Sequence, residues 1–156
     1  MGNSSDLGPS PDIVQFRFRD DDMADHGAVT VDAALEQDNA RAVRIEPGDD
    51  ARALLPHLER FDLVEINFPS FADGRGYSAA RLLREAGYTG ELRAVGDVLI
   101  DQLGHMRRCG FDSFAPDTPL DEDDAARAFA TFDHVYQHAA DTLAGRRRTI
   151  PGLRHE

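Results

Sequence analysis

Two helical patterns in this chain each end at a glycine and pass at once into an extended run. That punctuation constrains the fold more than any other feature. Residues 77–86 have helical spacing and are closed by Gly87, ahead of a strand pattern at 91–95. Residues 98–109 repeat the arrangement, closed by Gly110 ahead of a short extended run at 112–115. Upstream, 41–45 and 62–68 read as strands around a helical stretch that Asp49 can cap and Pro56 kinks. Serial β–α units pair their strands in parallel. The predicted fold class is therefore α/β, with βα repeats forming a mainly parallel sheet of four to five strands flanked by helices. An open sheet covered on both faces is preferred, and a half-barrel is the alternative.

The flanks extend this frame. Residues 1–12 are rich in Ser, Gly, Pro and Asp and read as a disordered lead, residues 13–145 as one α/β domain, and residues 146–156 as a basic tail. Residues 13–18 read as an edge strand, and Thr30 caps a short helix to about Gln37. The last helix starts at Thr118-Pro119-Leu120-Asp121 and runs to about Leu143. Its apolar positions, Ala125, Phe129, Phe132, Tyr136, Ala139 and Leu143, form a heptad seam. The first half suits the core, and the second offers a homodimer contact or a seat for a partner.

Charge and residue usage remove several function classes. The chain has 156 residues and a net charge of −12, so nucleic acid is not an expected partner. All 17 basic residues are arginine, which rules out a Schiff-base lysine and a P-loop lysine. No apolar run is long enough to span a membrane. The lead lacks the basic-then-apolar order of a secretory signal, and the single cysteine, Cys109, suits a reducing compartment; a cytoplasmic location is expected. One cysteine also cannot hold an iron–sulfur cluster.

The chemistry gathers where the strands end. Ligands of open α/β sheets bind beyond the carboxyl ends of the strands, which here offer Asn67, Asp73, Gly74, Arg75, Gly76, Ser78 and Asp97. Residues 74–79 match the glycine pattern of a dinucleotide loop, and Asp97 stands about where a ribose-binding acid would. Five residues separate Phe68 from Gly74, however, and a dinucleotide loop turns tightly from its strand. NAD(P) or flavin is therefore the weaker reading, and no cofactor is predicted. Arg75 with the free N–H groups of a helix start suits a small anion better. The plain structural alternative is a sharp helix entry with Asp73 as its cap.

Other clusters weigh less. With Ala79, Leu82, Leu83 and Ala86 on the core face of the helix, Tyr77, Arg81 and Arg84 form a stripe suited to a protein partner. The aspartates of 20–25 read as a solvated loop. Asp101, His105 and Cys109 are four apart, yet that spacing drifts around the helix and does not converge on an ion. No metal site is expected. Leu99, Leu103 and Met106 mark the buried face there, with Cys109 on its flank as a packed structural thiol. Asp73, Asp97 or Asp117 would have to supply any general acid or base, and nothing singles one out.

The stretch FPSFADGRGYS…LREAGYTGELRAVGDVLIDQL…RCGFD resembles the signature of a bacterial family of unknown function. The resemblance runs from about Ala40 to Gln137 and does not extend to the region before Thr30. Members of that family are typically encoded beside sulfite reductase and other sulfate-assimilation genes, and are often labelled oxidoreductases without a shown activity. The resemblance implies a pathway, assimilatory sulfite reduction in the cytoplasm. The function expected within it is an accessory protein partner of a sulfite-reducing complex, and the alternative is a small enzyme or oxidoreductase binding an oxyanion or nucleotide at Gly74-Arg75-Gly76 and Asp97. The resemblance supplies no catalytic residues.

Overall fold

The computed structural model describes residues 14–23 and 27–130, together with the backbone of 137–138. The lead, the basic tail and the seam positions from Phe132 onward lie outside the described residues, and because Gln137–His138 is a strand the last helix does not run unbroken to Leu143 as expected. Five strands run parallel in chain order: β2 (Val29–Thr30), β3 (Ala42–Ile45), β4 (Leu63–Phe68), β5 (Glu91–Gly96) and β6 (Ser113–Pro116). β1 (Phe16–Arg17) lies antiparallel beside β6. It is not the outermost strand, because β7 (Gln137–His138) pairs with its other side. The sheet is open, not a barrel.

The helices between the strands are α1 (Val31–Glu36), a 3₁₀ segment over Ala51–Arg60, α2 (Arg75–Glu85), a 3₁₀ turn at Ile100–Gln102 leading into α3 (Leu103–Cys109), and α4 (Glu122–Ala130). Their boundaries follow local chemistry. The Thr30 hydroxyl accepts from the Ala33 N–H, so α1 starts where expected. Asp50, not Asp49, caps the next segment by accepting from Arg52 N–H, while Asp49 closes the preceding turn on Glu46 N–H. Pro56 lies inside that segment, which is 3₁₀ throughout. Asp121 accepts from the Asp124 N–H, so α4 begins three residues later than Thr118 would place it.

All these helices cover one face of the sheet rather than both. Their buried side chains join Val43, Ile45, Val64, Ile66, Phe68, Leu92, Ala94, Phe114 and Phe16 in one core. Alternation along each strand puts those sheet residues on the same side. The cause is strand order: β2 to β6 follow one another, and right-handed crossovers between successive parallel neighbours all return on the same face.

The other face is charged and yet buried. Pairing register sets Arg44, Glu65, Arg93, Ser113 and Arg17 in one row across five strands. Arg44 donates to Glu65 at 2.9 Å, Arg93 to Glu65 at 3.3 Å and to Glu91 at 3.1 Å. Ser113 Oγ donates to Glu91 at 2.6 Å, and Arg17 reaches the other Glu91 oxygen at 2.9 Å. Burial alone would push the Glu91 carboxyl up; Arg17, Arg93 and Ser113 outweigh it and hold the group below its ordinary value. The chain after β1 covers this row. Arg17 donates to the carbonyls of Arg19, Asp21 and Asp22, Met23 packs on Val95 and Ala115, and Ala28 packs on Ala42 and Leu63. Reaching β2 from β1 means crossing about 24 Å of sheet, five strand spacings, and the described parts of this link, 18–23 and 27–28, form a strap over the polar face.

Candidate functional site

The carboxyl ends of the parallel strands coincide as the sequence requires. Asn67 is opposite Val95 and Phe68 opposite Gly96, while Val95 is opposite Ala115. Asn67, Gly96 and Ala115 therefore share one edge. Gly96 adopts φ 98°, a left-handed turn that aims the Asp97 N–H back at the Phe68 carbonyl, 2.7 Å away.

The loop between β4 and α2 is tied down by its own side chains. Asp73 lies just before α2 and accepts from the Arg75 N–H at 3.0 Å. The Arg75 guanidinium donates to both oxygens of the same carboxylate, at 3.1 and 2.8 Å. These side-chain bonds, with the backbone bond after them, hold the Asp73 carboxyl down at about 2. Arg75 is well exposed, but its fork is filled by Asp73, so a small anion there competes with an internal carboxylate.

Asp97 accepts from the Phe71 N–H at 3.0 Å. The Asn67 amide donates to Glu46 at 2.8 Å. Gly76 is bare for packing: a Cβ there would come within 2.6–2.8 Å of the Phe68 ring and the Ile66 methyl. Ser78 is exposed on α2 and Gly74 is exposed before it.

One residue that sequence reasoning passed over completes the edge. The Gln102 side chain donates to the Phe71 carbonyl at 2.8 Å and accepts from the Leu99 N–H at 3.1 Å. Phe71 thus has its N–H held by Asp97 and its carbonyl by Gln102, while 49% of its surface stays exposed. Leu99, expected on the buried face of the following helix, is 37% exposed, because α3 proper begins only at Leu103. Asp117 is tied to the same edge through its N–H, which donates to the Gly96 carbonyl at 2.8 Å.

The stripe on α2 is divided. Of the expected core face, Leu83 is buried and Ala79 and Leu82 pack half-buried against the core, while Ala86 is exposed and the buried row runs through Gly76 and Ala80. Tyr77 is half-buried, with its ring centroid 5.3 Å from Phe68 and 4.7 Å from His105. Burial first, and Cys109 second, push its hydroxyl upward. Arg84 donates to the carbonyls of Gly110, Tyr88 and Gly90 and to Asp112, which stitches α2 to two loops. Arg81 alone of the three is exposed. Cys109 is buried rather than on a flank, 3.8 Å from His105 Nε2, and burial pushes its thiol up despite Arg81 and Arg108.

Among the described residues no group of three or more His, Cys, Asp or Glu is placed to hold a metal ion. No described helix is long and apolar enough to cross a membrane. A cleft of about 550 Å³ opens at the opposite edge of the sheet, among Phe61, Asp62, Tyr88, Glu91 and the start of the strap. Polar walls of that cleft bond internally: Arg19 to Asp21 and Asp112, and the Tyr88 hydroxyl to the Phe61 carbonyl.

Residues 42–145 match a family described as bacterial protein of unknown function (DUF934). The chain belongs to that family. No curated protein matches the chain, and no solved structure does. The family region starts with β3 and takes in the four central elements of the parallel sheet and the whole edge formed by Phe71, Asp73, Asp97 and Gln102. β1, the start of the strap and β2 precede it.

Proposed function

We propose that this protein is an accessory partner of bacterial assimilatory sulfite reduction, acting in the cytoplasm through protein contact. The pathway comes from the resemblance of the signature stretch to proteins encoded beside sulfite reductase. The observation that carries the partner role is that the polar groups of this edge are bonded within the protein itself. Asp73 holds Arg75, Asp97 holds the Phe71 N–H, and Asn67 holds Glu46. An edge braced in this way presents a fixed surface, and pre-organised surfaces lose less entropy on docking.

A deletion strain tests the pathway. Growth should fail or slow with sulfate or sulfite as sole sulfur source and recover on sulfide or cysteine. Wild-type growth on sulfite would overturn the reading, and so would turnover of a substrate by the purified protein alone.

A further inference from the structure

We propose that the loop edge holding Phe71 and Leu99 is a docking surface for an apolar patch bordered by arginine or lysine on a globular protein. Among the described residues only three large hydrophobic side chains are exposed, and two of them are here. They are not loosely exposed. Gln102 clips the backbone of one to that of the other, and Asp97 fixes the Phe71 N–H. An aromatic ring held half-exposed on a rigid turn is an anchor at low entropic cost, since docking has little left to order.

The rim selects the occupant. Asp97 is half-exposed, and Asp101 and Asp117 are exposed; they lie beside Leu99 and Gly96, while Arg75 is already matched by Asp73. The surface is therefore apolar at its centre and acidic at its border. A nucleic acid or an anionic membrane would meet like charge, whereas a basic-rimmed protein patch meets opposite charge and is steered to it. The choice of sulfite-reducing enzyme as that protein rests on the function proposed above; the surface itself does not.

A photo-crosslinking residue at position 71, with position 35 on α1 as the control, tests this in bacteria growing on sulfate. The expected result is one protein adduct at 71, at least tenfold weaker at 35. The adduct should also fall at least tenfold in Asp101→Arg/Asp117→Arg. Melting temperatures confirm that each variant folds; Asp101→Asn/Asp117→Asn, expected to give a smaller loss, replaces the double arginine variant if that one does not. Equal labelling at 35 and 71, indifference to rim charge, or adducts to lipid or nucleic acid would overturn the surface. Mass spectrometry of the adduct separates the two ideas. A sulfite-reducing enzyme supports both, and a basic-patched protein outside that pathway leaves the surface standing and overturns the function proposed above.

Discussion

Gly76 shows how a residue can be legible and its reason still hidden. Gly76 was read as part of a dinucleotide-like glycine pattern or a sharp helix entry, but what its missing side chain makes room for is the Phe68 ring and Ile66, not a ligand. Gly76→Ala should therefore cost stability by overpacking, about 1–3 kcal/mol, read as a lower urea midpoint at unchanged slope. A midpoint equal to wild type would mean that the helix can lift away at no cost. Glu91 carries a larger stake. It accepts from Arg17, Arg93 and Ser113 with almost no solvent contact, so Glu91→Gln leaves buried Arg17 with only the exposed Asp21 and Arg93 with only Glu65, which Arg44 shares. The expected loss is about 3–5 kcal/mol by the same titration. A loss below about 1 kcal/mol would show that water or rearrangement satisfies the two arginines. Gln102 was not legible at all. Its importance depends on two backbone groups brought together only by the fold.

At the scale of elements, the two glycine stops were read more accurately than helix starts or helix faces. Gly87 and Gly110 follow α2 and α3 as expected, because a glycine stop is written locally. The buried face of α2 was read correctly at Leu83 but is rotated toward Ala80, because the helix sinks at bare Gly76, which turns Tyr77 and Arg84 partly inward. The partner stripe drawn from that face consequently loses Arg84 to backbone carbonyls. In α3, Cys109 is buried and its thiol is pushed up by burial, so the protonated form dominates at neutral pH. Alkylation at pH 7.5 should be slow in the native protein and rapid once urea unfolds it. Fast labelling without denaturant would place the thiol at the surface instead.

The sheet was the most legible feature of the whole molecule. The five parallel strands follow chain order, and the Asn67–Gly96–Ala115 edge emerges from pairing register. Which face the helices cover was not legible, nor was the strap. Alternating charges in β3, β4 and β5 look like a solvated face until the chain before β2 is laid over them. That buried row also sets the response to acid. The Glu91 carboxyl is held below its ordinary value, so its stabilisation is present above the unfolded value of 4.5 and is lost as pH falls through the folded one. Thermal stability should be flat from pH 7 to about 5 on this account and drop below about 4, with the drop reduced in Glu91→Gln. An identical acid profile in that variant would assign the loss to other carboxylates.

Complementation on sulfate tests the central claim, that this edge works by docking rather than by holding an anion at Arg75. A deletion strain would receive Phe71→Asp or Arg75→Lys, each first shown to melt like wild type. Arg75→Lys keeps the charge but loses the two-pronged grip that anion binding would need, whereas Phe71→Asp keeps the loop and removes the anchor. The account predicts wild-type growth with Arg75→Lys and lost growth with Phe71→Asp. Lost growth with Arg75→Lys and normal growth with Phe71→Asp would contradict it.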